Sequence, residues 1–91
     1  MKRLPQHQTA AGAVFGERLR ELRVKRGLTQ QALADVVGIP HTHVSAMERG
    51  VKLPTLLTVL RLAVALECKV TALVSPFDTA DLPAMVTRES E

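Results

Sequence analysis

Apolar residues recur along this chain at helical spacing, in short runs that glycine and proline separate. Phe15, Leu19 and Leu22 are spaced by four and three residues, which puts them on one face of a helix that Gly27 ends. Similar runs predict helices over about 30–37, 41–49, 56–66 and 70–75. Thr29 and Thr55 stand where N-caps are expected. The pattern predicts an all-α domain of five helices.

One segment of this pattern is more specific than the rest. Ala34 is followed after four residues by Gly38 and after six more by Val44. A small residue lets two helices approach closely, and a glycine can adopt the left-handed conformation that ends a helix abruptly. The spacing therefore predicts a helix-turn-helix, whose second helix enters the major groove of DNA in known examples.

Composition and charge support one small domain with a polyanionic partner. The chain has 91 residues, 46% of them hydrophobic but only 2% aromatic, so the core must be aliphatic. The net charge of +3 is uneven, with seven basic and two acidic side chains in residues 1–26 and three basic and five acidic ones in residues 61–91. We expect a flexible arm over 1–11, the DNA-binding domain over 12–75 and a tail over 76–91 for dimer or partner contacts.

The third helix shows which side chains face outward. With Val44 and Met47 pointing inward, Thr42, Ser45, Ala46 and Arg49 point outward, and His41 and His43 flank them. Glu48 and Arg23, on the third and first helices, each lie beside an apolar stripe. On the helical wheels alone, an ion pair between them and two independent surface charges are equally open.

Residues 15–74 resemble the Cro/repressor-type helix-turn-helix family, also called the xenobiotic-response-element (XRE) family. The resemblance rests on three segments: 20–34 with its "GLTQ" run, 44–50 with "ERG", and 54–56 with "PTL". It implies a lambda-repressor-like fold and favours the Arg23–Glu48 pair. It further implies two sets of DNA contacts. Base edges would meet His41, Thr42, His43, Ser45 and Ala46, and phosphates would meet Arg20, Gln30, Arg49 and Lys52.

The chain departs from the family pattern at several positions. Pro40 replaces the usual Ser or Thr cap of the third helix, and Ala46 replaces a long polar residue. Alanine can touch only a thymine methyl, so we expect modest direct base readout, supplemented by DNA shape. Glu67 and Lys69 replace the usual Gly and Ser or Thr at the junction of helices 4 and 5.

The fourth helix is apolar on nearly every side, so the core can bury only one of its faces and another surface must bury the rest. Either a second copy of the chain or the C-terminal tail could supply it in so small a protein. We favour a homodimer through helices 4 and 5. The predicted interface residues are Leu56, Val59, Leu62, Val64 and Phe77.

Other classes of function have little support. The single cysteine, Cys68, is interpreted as a small buried hydrophobe, and His41 and His43 point too far apart on a helix to share a metal ion. No phosphate loop or catalytic constellation is found in the sequence, so we expect no enzyme activity, no cofactor and no metal. The chain has no apolar run of membrane-spanning length. We expect a cytoplasmic, nucleoid-associated protein.

The sequence thus predicts a regulator that binds double-stranded DNA at a near-palindromic operator as a homodimer, with repression the simplest mechanism. Two alternatives remain open at this stage. One is an antitoxin or other interaction module that binds a protein partner through its C-terminal tail. The other is a controller protein of a restriction–modification system.

Overall fold

The computed structural model describes residues 8–86. Within them all regular secondary structure is helical, which confirms the predicted all-α fold. The helices are α1 (Ala10–Lys25), α2 (Gln30–Val37), α3 (His41–Glu48), α4 (Leu56–Ala65) and α5 (Val70–Val74). A 3-10 turn (Ser75–Phe77) and the short helix α6 (Leu82–Val86) follow. No helix in this part of the chain is long and apolar enough to cross a membrane.

Threonine side chains begin three of the helices. The hydroxyl oxygens of Thr9, Thr29 and Thr55 accept hydrogen bonds from backbone N–H groups in the first turns of α1, α2 and α4. Thr29 and Thr55 take the capping positions that the sequence predicted. Thr9 places the start of α1 at Ala10, two residues inside the segment expected to be an arm.

The turn between α2 and α3 depends on Gly38. Its φ of 84° lies in the left-handed region, and its N–H donates to the carbonyl of Ala34 at 2.8 Å. Ile39 N–H donates to the same carbonyl at 3.1 Å, so two donors meet one oxygen at the helix end. This geometry ends α2 at Val37 and lets α3 begin at His41.

The core is aliphatic and lies where α1, α2, α3 and α4 meet. Its fully buried members include Leu19, Leu33, Val44, Met47 and Leu62. Phe15 is the one aromatic ring among the buried core residues of the described chain. Burying aliphatic side chains of this size is the main source of stability in a domain so small.

The C-terminal segment differs from its prediction. The sequence predicted a fifth helix over about 70–75, and α5 ends at Val74. The chain then continues through Pro76 as a 3-10 turn, because proline is compatible with an early helical position. This turn and α6 pack against α1 rather than over α4. Phe77, predicted to lie at a dimer interface, is half-buried against the core of its own chain.

Candidate nucleic-acid interface

Helix α3 presents one face to the core and the other outward. Val44 and Met47 are buried, while His41 and Thr42 are exposed at the helix start. His43, Ser45 and Ala46 are half-buried at the edges of the outer face. The structure therefore places all five residues predicted to read bases on or beside one surface, with His41 and Thr42 the most accessible.

A hydrogen-bonded ion pair fixes α3 to the first two helices. The Nε and Nη2 atoms of Arg23 donate to the two carboxylate oxygens of Glu48 at 2.6 and 3.1 Å. Arg23 Nη1 donates to the carbonyl of Leu28 at 2.7 Å. Gln30 Nε2 donates to Glu48 Oε1 at 3.0 Å, so this phosphate candidate also braces α3. The hydrogen bond from Arg23 to Glu48 raises the pKa of the guanidinium above its ordinary value.

The N-terminus of α3 has no side-chain cap. Pro40 occupies the N-cap position with extended backbone and makes no capping hydrogen bond. Its carbonyl accepts from His43 N–H at 2.9 Å. Because proline has no hydroxyl and no N–H, the polar groups offered at this end of α3 are the side chains of His41 and Thr42 and the backbone amides of the first turn.

The remaining phosphate candidates lie at three places. Arg49, the C-cap of α3, is exposed, and its Nε lies 3.4 Å from Ser45 Oγ. Lys52 is exposed in the loop after α3 and lines a cleft with His43 and Thr55. Arg20 is exposed on α1 and has no ion pair among residues 8–86.

Two glycines that the sequence analysis passed over let α1 approach the end of α3. A Cβ on Gly16 would overlap the carbonyl oxygen of Met47 and lie 2.7 Å from that of Glu48. A Cβ on Gly12 would overlap the carbonyl oxygen of Gly50. The sequence could have indicated this close approach, since two glycines four residues apart within one predicted helix lie on the same side of that helix.

Gln8 is a second residue that the sequence did not single out. Its Nε2 donates to the carbonyl of Arg49 at 3.2 Å, across 41 residues of sequence. It therefore joins the chain ahead of α1 to the C-cap of α3. No local sequence pattern marks a single glutamine as such a contact.

The predicted dimer residues on α4 divide into two groups. Leu56 and Val64 are 72% and 78% exposed, as an interface residue of an isolated chain should be. Val59 and Leu62 are 8% and 0% exposed, so the prediction is wrong for these two, because their side chains fill the core of the same chain.

Further exposed apolar side chains lie beside Leu56 and Val64. Leu57 and Leu60 are exposed on the same helix, and Val36 of α2 lines a cleft with Leu60 and Val64. We call the exposed set Val36, Leu56, Leu57, Leu60 and Val64 the α4 apolar face.

Cys68 lies half-buried near the junction of α4 and α5. It packs against the core and borders a cavity with Arg18, Lys25 and Arg26. Burial raises the pKa of its thiol above the ordinary value, while the coulombic influence of Arg18 and Arg26 opposes this. The sequence predicted a small buried hydrophobe; Cys68 packs against the core as one but is only half-buried.

Comparison with known proteins places this geometry in a family. A family model described as helix-turn-helix (HTH_3) matches residues 19–73. The chain is 36% identical over 65 residues to an uncharacterised HTH-type transcriptional regulator, y4dJ, of Sinorhizobium fredii (strain NBRC 101917 / NGR234). This alignment covers 71% of the chain and 84% of that relative.

Solved structures agree with this result. The restriction–modification controller protein C.AhdI from Aeromonas hydrophila superposes with a TM-score of 0.68 at 41% identity, over 70% of this chain and 97% of that one. An HTH_3 family transcriptional regulator from Vibrio cholerae gives a TM-score of 0.66 at 30% identity, over 70% and 36% of the two chains. A hypothetical transcription factor, NHTF, from Neisseria gives 0.65 at 33% identity, over 80% and 83%.

Proposed function

The chain belongs to the Cro/repressor-type helix-turn-helix family (HTH_3) of DNA-binding transcriptional regulators, and we propose that it binds a near-palindromic operator as a homodimer. The observation that carries this proposal is the construction of α3. Its inner face is buried through Val44 and Met47, its outer face offers His41 and Thr42, and Glu48 is held by Arg23. An outward-facing helix held in this way is suited to enter a major groove.

The contacts are divided between base reading and positioning. His41 and Thr42 would read base edges, with His43, Ser45 and Ala46 at the margin of the same surface. Arg49, Lys52, Gln30 and Arg20 would contact phosphates, which fix the register of the protein without reading sequence. None of the base-reading side chains is an Arg or Gln that could pair with a base through two hydrogen bonds, so DNA shape would add to the specificity.

The α4 apolar face supports the homodimer. Five exposed aliphatic side chains on α2 and α4 form one patch, and residues 75–86 of the same chain leave it uncovered. Apolar patches of this kind on small proteins mark interaction sites. A two-fold axis through the face would present two copies of α3 to successive major grooves, about 34 Å apart.

Binding of this kind would act most simply by repression. A dimer seated on a promoter occludes polymerase, and the described domain needs no further part to do so. A second candidate role is that of a restriction–modification controller, which the 41% identity to C.AhdI along 97% of that protein favours. The two roles use the same DNA-binding surface and differ in the genes that they regulate.

Selection of genomic DNA tests the proposed function. Purified protein is incubated with sheared DNA of its source organism at about 0.15 M salt, and bound fragments are sequenced. We expect enrichment of a two-fold symmetric motif with half-sites one helical turn apart. A variant with His41→Ala and Thr42→Ala is the control, and it should enrich no motif while retaining weak binding. If the wild-type protein also enriches none, the operator-binding function is wrong.

A further inference from the structure

A cleft of about 390 Å³ lies between the end of α1 and the junction of α4 and α5. Its volume falls in the range of small-molecule sites, roughly 300–1,000 Å³. None of the described residues that line it belongs to α2, to α3 or to the α4 apolar face. The cleft is therefore separate from the proposed DNA-binding surface and from the proposed dimer interface.

Aliphatic side chains and a thiol form the floor of this cleft. Leu66 is fully buried there, and Leu22, Cys68 and Ala72 are half-buried around it. Burial raises the pKa of the Cys68 thiol, so the sulfur adds no negative charge to the floor at neutral pH. A floor of this composition is suited to the apolar part of a ligand.

Three cations, Arg18, Lys25 and Arg26, stand at the rim of the cleft. The Nε atom of Arg18 donates to the carbonyl of Ala72 at 2.6 Å, which ties its guanidinium across the cleft from α1 to α5. Its Nη1 lies 3.4 Å from a carboxylate oxygen of the exposed Glu21. The position of Arg18 is therefore fixed, and its charge is partly compensated.

The other two cations differ in their partners. Arg26 Nη2 lies 2.7 Å from a carboxylate oxygen of Glu67, which also lines the cleft. Lys25 is exposed and makes no ion pair within residues 8–86. The rim thus carries about one positive charge without a partner, directly above an apolar floor.

This combination selects one class of ligand. A neutral molecule would leave the ammonium group of Lys25 without a partner, and an inorganic anion would leave the aliphatic floor in contact with water. A monoanion with an aliphatic body satisfies both parts, since its head pairs with the rim while its chain removes apolar surface from water.

We propose that this cleft binds a small aliphatic carboxylate, with its head at Lys25 and Arg26 and its chain against Leu22 and Leu66. The site is independent of operator binding and adds a ligand to the protein. Its failure would leave the proposed function as it stands.

Octanoate is the probe, because it combines one carboxylate with a short aliphatic chain. The ¹⁵N-labelled full chain is titrated at neutral pH and constant ionic strength, and its amide signals are followed by NMR. The titration extends several-fold above the expected dissociation constant, which is on the order of 1 mM for so small a ligand. Inorganic phosphate and 1-octanol are titrated in parallel as the charge alone and the chain alone.

Two variants form a matched pair. Lys25→Gln removes the unpaired charge at the rim. Arg61→Gln removes one exposed cation at the other apolar cleft, which Val36 and Val64 line on the α4 apolar face. Both substitutions are at exposed positions outside the core, so both proteins should fold.

We expect octanoate to shift the amide signals of residues 66–68 and 72, and to do so more strongly than phosphate or 1-octanol at the same concentration. Lys25→Gln should weaken octanoate about 3-fold, the scale of one exposed charge interaction, and Arg61→Gln should leave it unchanged. Absence of binding, shifts confined to the α4 apolar face, equal effects of the two variants, or equal binding of either parallel ligand would each overturn the proposal.

Cys68 provides a second measurement, because it is the only cysteine of the chain. Its alkylation by iodoacetamide, a neutral reagent, is followed by mass spectrometry with and without octanoate. Bound octanoate should slow the reaction several-fold in the wild-type chain. An unchanged rate at a saturating concentration would mean that octanoate binds outside this cleft.

Discussion

Arg23 and Glu48 join the end of α1 to the recognition helix through two hydrogen bonds of 2.6 and 3.1 Å, one to each carboxylate oxygen. The side chains of Arg23 and Glu48 are only 12% and 4% exposed, so both charges depend on each other for stabilisation. The same carboxylate accepts from Gln30 at the start of α2. One buried carboxylate thus sets the position of α3 relative to both helices that precede it.

The Glu48→Gln variant should therefore be strongly destabilised. It keeps the shape of the side chain but leaves the Arg23 charge buried without its counter-charge, which costs about 3 kcal/mol. Urea denaturation followed by circular dichroism measures this loss. Glu21→Gln, in the exposed pair with Arg18, is the control and should change stability by less than about 0.5 kcal/mol. Equal effects of the two substitutions would contradict the bracing role of Glu48.

The pH dependence of this pair follows from the direction of the shift. The pKa of Arg23 is raised in the folded chain, so its contribution to stability is fully present below the ordinary pKa of an arginine and is lost only as the pH rises through the raised pKa of the folded state. Across the neutral range the Arg23 contribution should not vary.

Gly16→Ala should damage the junction of α1 and α3. The added methyl group would overlap the carbonyl oxygen of Met47, and we expect a loss of about 1–3 kcal/mol from overpacking. Thermal unfolding measures it. Gly27→Ala is the same chemical change at a site with no atom within 4 Å and a φ of 72°, so it should cost only about 1 kcal/mol of backbone strain. A Gly16→Ala protein no less stable than Gly27→Ala would show that the approach of the helices is not tight.

Glu67→Gly should stabilise the protein. Glu67 has a φ of 53°, a left-handed conformation that costs a non-glycine residue about 1 kcal/mol. The substitution also removes the exposed 2.7 Å ion pair with Arg26, which is worth little. Glu67→Ala loses the same ion pair but keeps a Cβ, so it is the control. We expect the free energy of unfolding of the glycine variant to exceed that of the alanine variant by about 0.5–1 kcal/mol. If the glycine variant were equally or less stable, the backbone at Glu67 would not be strained.

Val64→Glu should abolish the homodimer without unfolding the chain. Val64 is 78% exposed in the α4 apolar face, where a carboxylate would be buried without a partner on dimer formation. Sedimentation equilibrium should show a monomer, and operator affinity should fall by at least 10-fold. Val24→Glu places the same charge on α1, at a valine that is 53% exposed, and should leave the dimer intact. If the Val64→Glu protein remained dimeric, the dimer interface would lie outside the α4 apolar face.

The Arg49→Ala variant should distinguish phosphate contacts, which position the protein on DNA, from contacts that read base sequence. It should weaken binding to operator and random DNA alike and reduce the salt slope by about 1. The His41→Ala/Thr42→Ala variant should instead lower operator affinity more than random-DNA affinity, because base contacts carry the difference between them. Competition titrations with both DNAs measure this. A change of preferred base in Arg49→Ala would contradict its assignment to phosphate.

The sequence predicted the helices around the turn well, because their ends depend on local chemistry. Thr29 supplies a cap from its own side chain, and Gly38 supplies the left-handed conformation that ends α2. The Arg23–Glu48 pair stayed open on the helical wheels, since a wheel gives an angle and not the distance between two helices. The family resemblance favoured the pair, and the structure contains it.

Features that depend on long-range packing were missed. Because α4 is apolar on most sides, its sequence could not show which residues face the core, and Val59 and Leu62 were placed on the wrong side. The approach of Gly16 to α3 and the contact of Gln8 with Arg49 depend on how α1 crosses the end of α3. That crossing is set by residues far apart in the chain.

Hydroxyl-radical footprinting of the wild-type protein on a selected genomic fragment tests the central claim most directly. A homodimer with two α3 helices in successive major grooves should protect two backbone patches on one side of the duplex. Their centres should be about 10 base pairs apart and related by two-fold symmetry. A single protected patch, or uniform protection without a helical period, would contradict the dimeric operator-binding account.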